Sequence, residues 1–136
     1  FTNIRFVPAE ENYDEFCKVN KENEKRRSMG SFFVHLMNNG VITEVAIYNL
    51  INSLKNNMLS FMNQENKKEE VEELAENIVI LIINGKEKLE SFTGENDFVW
   101  DSCVEFVENM TKSKIADYPS LSNKVIFKFM DLEEEF

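Results

Sequence analysis

The side chains that most often catalyse reactions or bind metals are scarce and far apart in this 136-residue chain. It has one histidine, His35, and two cysteines, Cys17 and Cys103. A zinc site needs three or four ligands at set spacing, and a Ser-His-Asp or Cys-His arrangement would have to be assembled around His35 alone. His35 stands between two apolar residues on a predicted helix, where a boundary role is the more frequent one. We therefore expect no metal site, no cofactor and no catalysis.

Two acidic clusters, 65–76 and 131–135, are the remaining candidates for acid–base chemistry. Neither lies beside an aromatic pattern that would form a pocket and raise one carboxyl pKa, so we expect two solvated faces. The four glycines form no phosphate-binding loop. A formal net charge of −10 speaks against a free-standing nucleic-acid-binding protein, because contacts to phosphates need clustered Lys and Arg. The charge favours a basic protein partner, or solubility alone.

The compartment is predicted from the cysteines and from the longest apolar run. Both cysteines are expected to be reduced thiols in a reducing compartment, which gives a cytoplasmic location. The apolar run within 77–84 is far too short to span a bilayer, so no membrane association is expected.

Apolar residues recur at helical spacing in five stretches, the pattern of helices with one face in a core. The stretches contain Met29, Phe32, Phe33, Leu36 and Met37; Ile47, Leu50, Ile51, Leu54 and Met58; Val71, Leu74, Ala75, Ile78 and Ile82; Val99, Cys103, Phe106, Val107 and Met110; and Leu121, Val125, Ile126, Phe129 and Met130. Four glycines and two prolines provide few turns for a many-stranded sheet. The pattern predicts an all-α protein that presents surface, and therefore an adaptor or scaffold.

Helix starts predicted near residues 26, 44, 69, 97 and 120 place alternate helices roughly 43, 53 and 51 residues apart. Helix-pair repeats of the HEAT and armadillo type recur every 40–47 residues or so. The prediction is antiparallel helix pairs stacked as HEAT-like repeats, an α-solenoid with an extended docking surface. A plain helical bundle fits the spacing as well. The repeats would occupy 25–136, after an N-terminal irregular segment and short helix at 1–24.

The beginning of the chain is expected to be extended or irregular over residues 1–8. Pro8 suits the first turn of a short helix over 9–19. The charged residues at 18–27 would form either a linker or the solvated start of the next helix.

Local signals predict where the longer helices begin and end. Gly40 suits the left-handed position after a helix that stops near residue 38, and Thr43 suits the N-cap of the next. Gly85 is the predicted end of the third helix. Its run at 78–83 is apolar all round, which is typical of a helix between two layers, with a buried strand as the rival. A turn at 93–97 would precede and cap the fourth helix, and either Ser120 or Ser122 would be the N-cap of the fifth.

The aromatic residues offer candidates for binding as well as for packing. Phe32, Phe33, Phe106 and Phe129 lie on the apolar stripes and are expected in the core rather than stacked on nucleic-acid bases. Trp100 lies near Phe92 and Phe98, and it is the best candidate for a partner anchor because Trp is over-represented at interface hot spots, although a packing role is the more frequent one.

Three segments, in order, resemble the middle domain of eukaryotic translation initiation factor 4 gamma. The first is 25–44, where Arg-Arg-Ser-Met-Gly is similar to the family's Arg-Arg-Ser-Leu-Gly and a Phe-Phe-Val-His-Leu-Met run resembles Phe-Ile-Gly-Glu-Leu-Phe. The second is 74–89, similar to a helix that ends in Ile-Gly-Lys-x-Leu. The third is 122–132, similar to Ser-Ser-Arg-Ile-Arg-Phe followed by Asp-Leu.

The resemblance implies a stack of HEAT-like repeats, of which this chain would supply the later ones. It also implies a non-catalytic scaffold that clasps a DEAD-box RNA helicase of the initiation factor 4A type and promotes its cycle. Other initiation factors are further expected partners, and RNA contact would be weak or indirect. The matching helicase-contact position is Phe32, or Val34 in a register shifted by two residues. His35, Lys124 and Phe127 match other motif positions, and the resemblance implies that they too bind the partner.

Two alternatives stay open. Relatives of this domain occur in partners of poly(A)-binding protein and in mRNA decay and splicing factors, so the chain could be a related adaptor in mRNA metabolism. It could also be an unrelated helical interaction domain.

Overall fold

The protein is described by a computed structural model over residues 4–92 and 100–136. These residues form five α-helices and one 3-10 helix, with no strand among them. The helices are α1 (Tyr13–Asn38), α2 (Glu44–Met62), α3 (Lys68–Ser91), α4 (Trp100–Lys112) and α5 (Asn123–Glu134), and the 3-10 helix is Ile115–Asp117. The all-α prediction is confirmed. The rival strand at 78–83 is excluded, because that run lies inside α3.

Helix α1 is one helix of 26 residues, so the separate short helix predicted at 9–19 is wrong. It begins after Asn12, whose side-chain oxygen accepts a hydrogen bond from the Glu15 backbone N–H at 3.0 Å, as N-cap residues do. Pro8 precedes the helix, and its carbonyl accepts from the Glu11 N–H in a turn. The run 18–27 contains no Gly or Pro and many good helix formers, so nothing ends the helix there. Of the two readings of that run, the solvated helix is the right one.

The turn between α1 and α2 follows the sequence signals. Gly40 has φ +75°, the left-handed region, as predicted. The Val41 N–H donates to the Leu36 carbonyl at 2.8 Å and the Gly40 N–H to the Met37 carbonyl, which satisfies carbonyls left free at the helix end. Thr43 occupies the N-cap position of α2, but its side chain makes no capping bond.

Gly85 does not end α3; it lies inside the helix, which continues to Ser91. A Cβ atom at this position would come within 2.9 Å of Met37 Cε and 3.4 Å of Val34 Cγ1, both on α1. Glycine is therefore the residue that lets α1 and α3 approach closely. Glycine is favoured both just after a helix end and where two helices approach closely. The sequence alone does not distinguish these two roles, so Gly85 was predicted to be the end of the helix.

Helix α3 is the central element and contacts the other four α-helices. Seven of its apolar side chains are completely buried: Val71, Leu74, Ala75, Ile78, Leu81, Ile82 and Leu89. The prediction that this helix packs on several sides is confirmed, except that Ile83 is exposed.

The contacts fix the relative directions of the helices. Arg27 bonds Glu73, and Asn38 bonds Asn84, so positions 46 residues apart meet and α1 runs parallel to α3. Glu72 pairs with Lys124 at an offset of 52 residues, and the next pair along α3 and α5 has the same offset, so these helices are parallel too. Helix α2 runs back along α3, because a short loop joins them and Tyr48 near its start bonds the Leu89 carbonyl near the end of α3.

Most of the predicted core residues are buried, but Phe33, Leu36 and Leu50 are only partly buried and three others are exposed. Met29, Phe32 and Met130 are exposed. The inner side of α1 instead buries Val19, Arg26, Gly30, Val34 and Met37. The sequence prediction was misled because hydrophobicity alone does not tell which side of a helix faces the core. Val99, Phe98 and the predicted turn at 93–97 lie outside the described residues.

The two candidate caps of α5 have different roles. Ser122 occupies the N-cap position without a capping bond, and its hydroxyl donates to Glu72 Oε1 at 3.0 Å. Ser120 is completely buried. Its hydroxyl donates to the Gln64 carbonyl and accepts from the Lys67 N–H at 2.9 Å, so it ties the segment before α5 to the loop between α2 and α3.

Candidate protein-binding surface

One side of helix α1 faces away from the rest of the fold, and we call it the α1 outer face. Its members are exposed or partly exposed and recur every three or four residues, so they share one side of the helix. The outer face consists of Lys18, Lys21, Lys25, Met29, Phe32 and Leu36. Phe32 is 56% exposed and Met29 is 38% exposed, and the Phe32 ring lies 6.3 Å from that of Phe33. The face is therefore basic in its first half and apolar in its second half.

The outer face is exposed because the opposite side of α1 packs against α3. Val34 and Met37 are 1% exposed and meet α3 at Gly85. A helix of ordinary pitch cannot bury both of its sides unless a second element covers it. Among the described residues, no helix lies on the outer side of α1 to do so.

The three lysines of the outer face lie on the surface, and one of them acts on a neighbour: the hydrogen bond from Arg5 lowers the pKa of Glu22, and the charge of Lys18 lowers it further. Within residues 4–92 and 100–136, no salt bridge involves Lys18, Lys21 or Lys25. Their neighbour Glu22 is held by Arg5, through the Arg5 Nη2 to Glu22 Oε1 contact of 3.1 Å. This exposed basic stretch stands out in a chain with a formal net charge of −10.

The inner side of α1 uses its charge to bind α3. Arg27 Nε donates to Glu73 Oε1 at 2.9 Å and Arg27 Nη2 to Glu73 Oε2 at 2.6 Å, which is the two-pronged geometry of strong Arg–carboxylate pairs. Glu73 is 7% exposed. The hydrogen bond to Glu73 raises the pKa of Arg27, and burial lowers the pKa of its neighbour Arg26.

A charged cleft of about 110 Å³ lies between the middle of α1 and the first turns of α3 and α5. Its charged lining residues are Arg5, Arg27, Lys124 and Lys128 with Glu69, Glu72, Glu73 and Glu76. Lys128 pairs with Glu76, and Lys124 Nζ lies 3.9 Å from Glu72 Oε2. Most of these side chains are engaged with one another, so the cleft connects three parallel helices through ion pairs. Groups of three or more His, Cys, Asp or Glu able to hold a metal ion are absent from the part of the chain that the structure describes.

The predicted site residues fall on three separate helices. Phe32 and His35 lie on α1, and His35 is exposed beside Asn39, whose amide nitrogen is 3.4 Å from His35 Nδ1. Lys124 and Phe127 lie on α5, with the Lys124 side chain 70% exposed and Phe127 59% exposed. Helices α1 and α5 contact different residues of α3, so the structure does not bring these two pairs together.

Trp100 is partly buried and packs against the core. Its ring meets the Phe136 ring edge to face, with 5.1 Å between centroids. This contact joins the start of α4 to the end of the chain, the packing arrangement that was the more frequent expectation for this residue.

Sequence reasoning missed the lysines of the outer face and assigned Met29 to the core. A signal was present: Lys18, Lys25 and Phe32 are spaced seven residues apart, with Lys21 and Met29 between them at helical intervals. The break predicted at 18–27 hid this signal, because it divided the stripe between two elements.

No helix among the described residues is long and apolar enough to cross a membrane. Comparison of the chain with protein-family models, with curated proteins and with solved structures finds no match.

Proposed function

We propose that this chain is a non-catalytic scaffold of translation initiation that binds a DEAD-box RNA helicase of the initiation factor 4A type and promotes its activity. The single observation that carries the proposal is the exposure of Phe32, at the position that the sequence resemblance matches to a helicase-contact residue. Moving this exposed phenylalanine ring from water into an interface with a partner would be favourable, because it removes apolar surface from water.

The arrangement of the helices supports the fold part of the proposal. Helices α1, α3 and α5 are parallel, and successive members are offset by 46 and 52 residues, while α2 runs in the opposite direction. Two-layer HEAT-like stacks repeat a helix pair at a comparable interval, with like helices side by side and parallel. We therefore propose that α1, α3 and α5 form one layer of such a stack.

The mechanism follows from binding thermodynamics. A scaffold without catalytic groups can accelerate a two-lobed helicase only if it binds one arrangement of the lobes more tightly than the other. An affinity ratio of about 5–150 between the two arrangements, typical of coupled sites, shifts the populations by about 1–3 kcal/mol. In this proposal the surface of α1 supplies that preference through contact with one lobe.

The test measures binding and ATP hydrolysis together. The whole chain is immobilised, a helicase of the initiation factor 4A type is passed over it, and the RNA-stimulated ATPase rate is measured with and without the chain. We expect binding and a faster ATPase. Phe32→Ala should reduce both, whereas Tyr13→Ala, which removes another exposed aromatic ring from the same helix, should reduce neither.

Absence of both binding and rate change with the unmodified chain would refute the proposal. Binding that Phe32→Ala leaves intact would refute the assignment of Phe32. A chain that binds poly(A)-binding protein instead would be the related adaptor of mRNA metabolism named above.

A further inference from the structure

The two sides of helix α1 share one layout, although only one of them is covered. On the inner side, Arg27 contacts α3, and the apolar residues Val34 and Met37 follow. On the outer face the lysines come first, and then Met29, Phe32 and Leu36. From Arg26 onward the inner side is basic first and apolar later, as the outer face is from Lys18 onward, although the buried Val19 precedes the arginines on the inner side.

Helix α3 shows what kind of helix fits this layout. Its first three turns carry five glutamates, Glu69, Glu70, Glu72, Glu73 and Glu76, and its apolar run at 78–83 follows. It lies parallel to α1, so its acidic part meets the basic part of α1 and its apolar part meets the apolar part. Acidic residues in the first turns also suit the positive end of a helix dipole.

We propose that the α1 outer face binds an α-helix of another protein that resembles α3 in layout: acidic in its first half, apolar in its second, and parallel to α1. The inference deepens the proposed function, and it rests on that function in one respect, namely that α1 is used to bind a protein. It adds the charge, the apolar pattern and the direction of the bound element.

A second copy of this chain fits the face less well than such a helix. Two copies of α1 in parallel would place lysines against lysines, and antiparallel copies would place Lys18 against Leu36. The acidic end of α5, at 131–135, could meet the lysines in an antiparallel alignment, but Lys124 would then lie against Phe32. Like charges in contact and lysines pressed on apolar groups both oppose binding.

The experiment uses two designed 20-residue peptides of identical composition. In the acid-first peptide, glutamates occupy one side of the first ten residues and leucines continue that side over the last ten. The apolar-first peptide reverses this order. Binding of each fluorescently labelled peptide to the full 136-residue chain is measured by anisotropy, at low salt and at 300 mM salt.

We expect the acid-first peptide to bind about tenfold more tightly than the apolar-first peptide, and the added salt to weaken it. The double variant Lys21→Glu/Lys25→Glu should weaken acid-first binding by about tenfold or more. The matched control Lys112→Glu/Lys114→Glu reverses two exposed lysines near the end of α4 and should change binding by less than about twofold. All four lysines are exposed, and circular dichroism checks that both variants fold.

Equal affinity for the two peptides would overturn the inference, and so would binding that the charge reversal on α1 leaves unchanged. A stable dimer of the free chain that Lys21→Glu/Lys25→Glu dissociates would also overturn it, because a second copy would then be the occupant.

The outcomes separate this inference from the proposed function. Acid-first binding without any helicase binding supports the inference and removes the helicase as the partner. The opposite result is a chain that binds and activates the helicase equally well with and without the lysine substitutions, and that binds neither peptide. That result would refute the inference and leave the scaffold proposal standing.

Discussion

Arg27 on α1 and Glu73 on α3 are joined by two hydrogen bonds across positions 46 residues apart in sequence. The Glu73 side chain is 8% exposed and the Arg27 side chain is 41% exposed, so the carboxylate depends on this guanidinium more than the reverse. The same glutamate also binds within its own helix, because the Asn77 side-chain amide donates to Glu73 Oε1 at 3.2 Å. The pair therefore fixes the register of two parallel helices at a mostly buried point.

Arg27→Ala should destabilise the chain by about 1–2 kcal/mol, less than a fully buried pair would lose, because Arg27 is partly solvated. The measurement is urea unfolding followed by circular dichroism. Lys124→Ala serves as the control: its contact with Glu72 is 3.9 Å and its side chain is 70% exposed, so its loss should cost under about 0.5 kcal/mol. Equal losses for the two variants would contradict the role given to Arg27.

Gly85 should tolerate a methyl group but not a larger side chain. In Gly85→Ala the added Cβ would lie 2.9 Å from Met37 Cε, 3.2 Å from Leu89 Cδ1 and 3.4 Å from Val34 Cγ1. The first two atoms are the ends of side chains that can shift, and alanine is favoured over glycine inside a helix by about 0.5–1 kcal/mol, so the net change should be small. Gly85→Leu should cost about 1–3 kcal/mol, since the longer side chain forces α1 away from α3. Thermal or urea unfolding of both variants decides this, and a leucine variant as stable as the alanine one would show that the approach of α1 to α3 is not tight.

Alanine substitutions of Phe32 and Phe129 should have opposite effects, one on partner binding and the other on the free energy of unfolding. Phe32→Ala should change the free energy of unfolding by less than about 0.5 kcal/mol, because the ring is largely exposed, and should cost about 2 kcal/mol or more in partner binding if Phe32 is an anchor. Phe129→Ala removes a completely buried ring that packs edge to face on Phe106, and should cost about 3–5 kcal/mol of stability. Chemical unfolding of both proteins is the measurement. A large loss of stability in Phe32→Ala would place that ring in the core after all.

Stability should fall in alkaline solution. Burial raises the pKa of the Cys103 thiol to about 11, above its ordinary value of 9.0, and the positive charge of Lys55 only partly opposes this. A group whose pKa is higher in the folded state stabilises the fold fully below its unfolded pKa and loses that contribution as pH rises through the folded pKa. The loss from Cys103 should therefore develop between about pH 9 and 11 and amount to about 3 kcal/mol.

Tyr48 should add to this loss above pH 10, because burial raises its pKa in the same direction. Urea unfolding at pH 7, 9 and 10.5 measures the slope. Cys103→Ala should flatten the slope between pH 9 and 10.5, whatever its own cost at pH 7. An unchanged slope in Cys103→Ala would rule out this thiol as the cause.

The sequence predicted the helices well wherever hydrophobic periodicity and capping agreed. Helix α2 begins where Thr43 and the apolar stripe place it, and Gly40 has the left-handed conformation expected of it. These are local properties, because backbone sterics and the spacing of apolar residues act over a few turns. The predictions of an all-helical fold and of a third helix that packs on several sides follow from the same information.

The tertiary structure decided which residues of each helix are buried by contact with another helix. The local sequence predicts a helix end at Gly85, and this residue is instead a helix contact because α1 approaches it. Phe32 reads as a core residue, since a single helix carries no record of which side its neighbours cover, and it is exposed because α3 occupies the opposite side of α1. The sequence thus determined the helices and their apolar patterns, whereas the α1 outer face exists only through the packing of α1 on α3, because burial depends on contacts between residues distant in the chain.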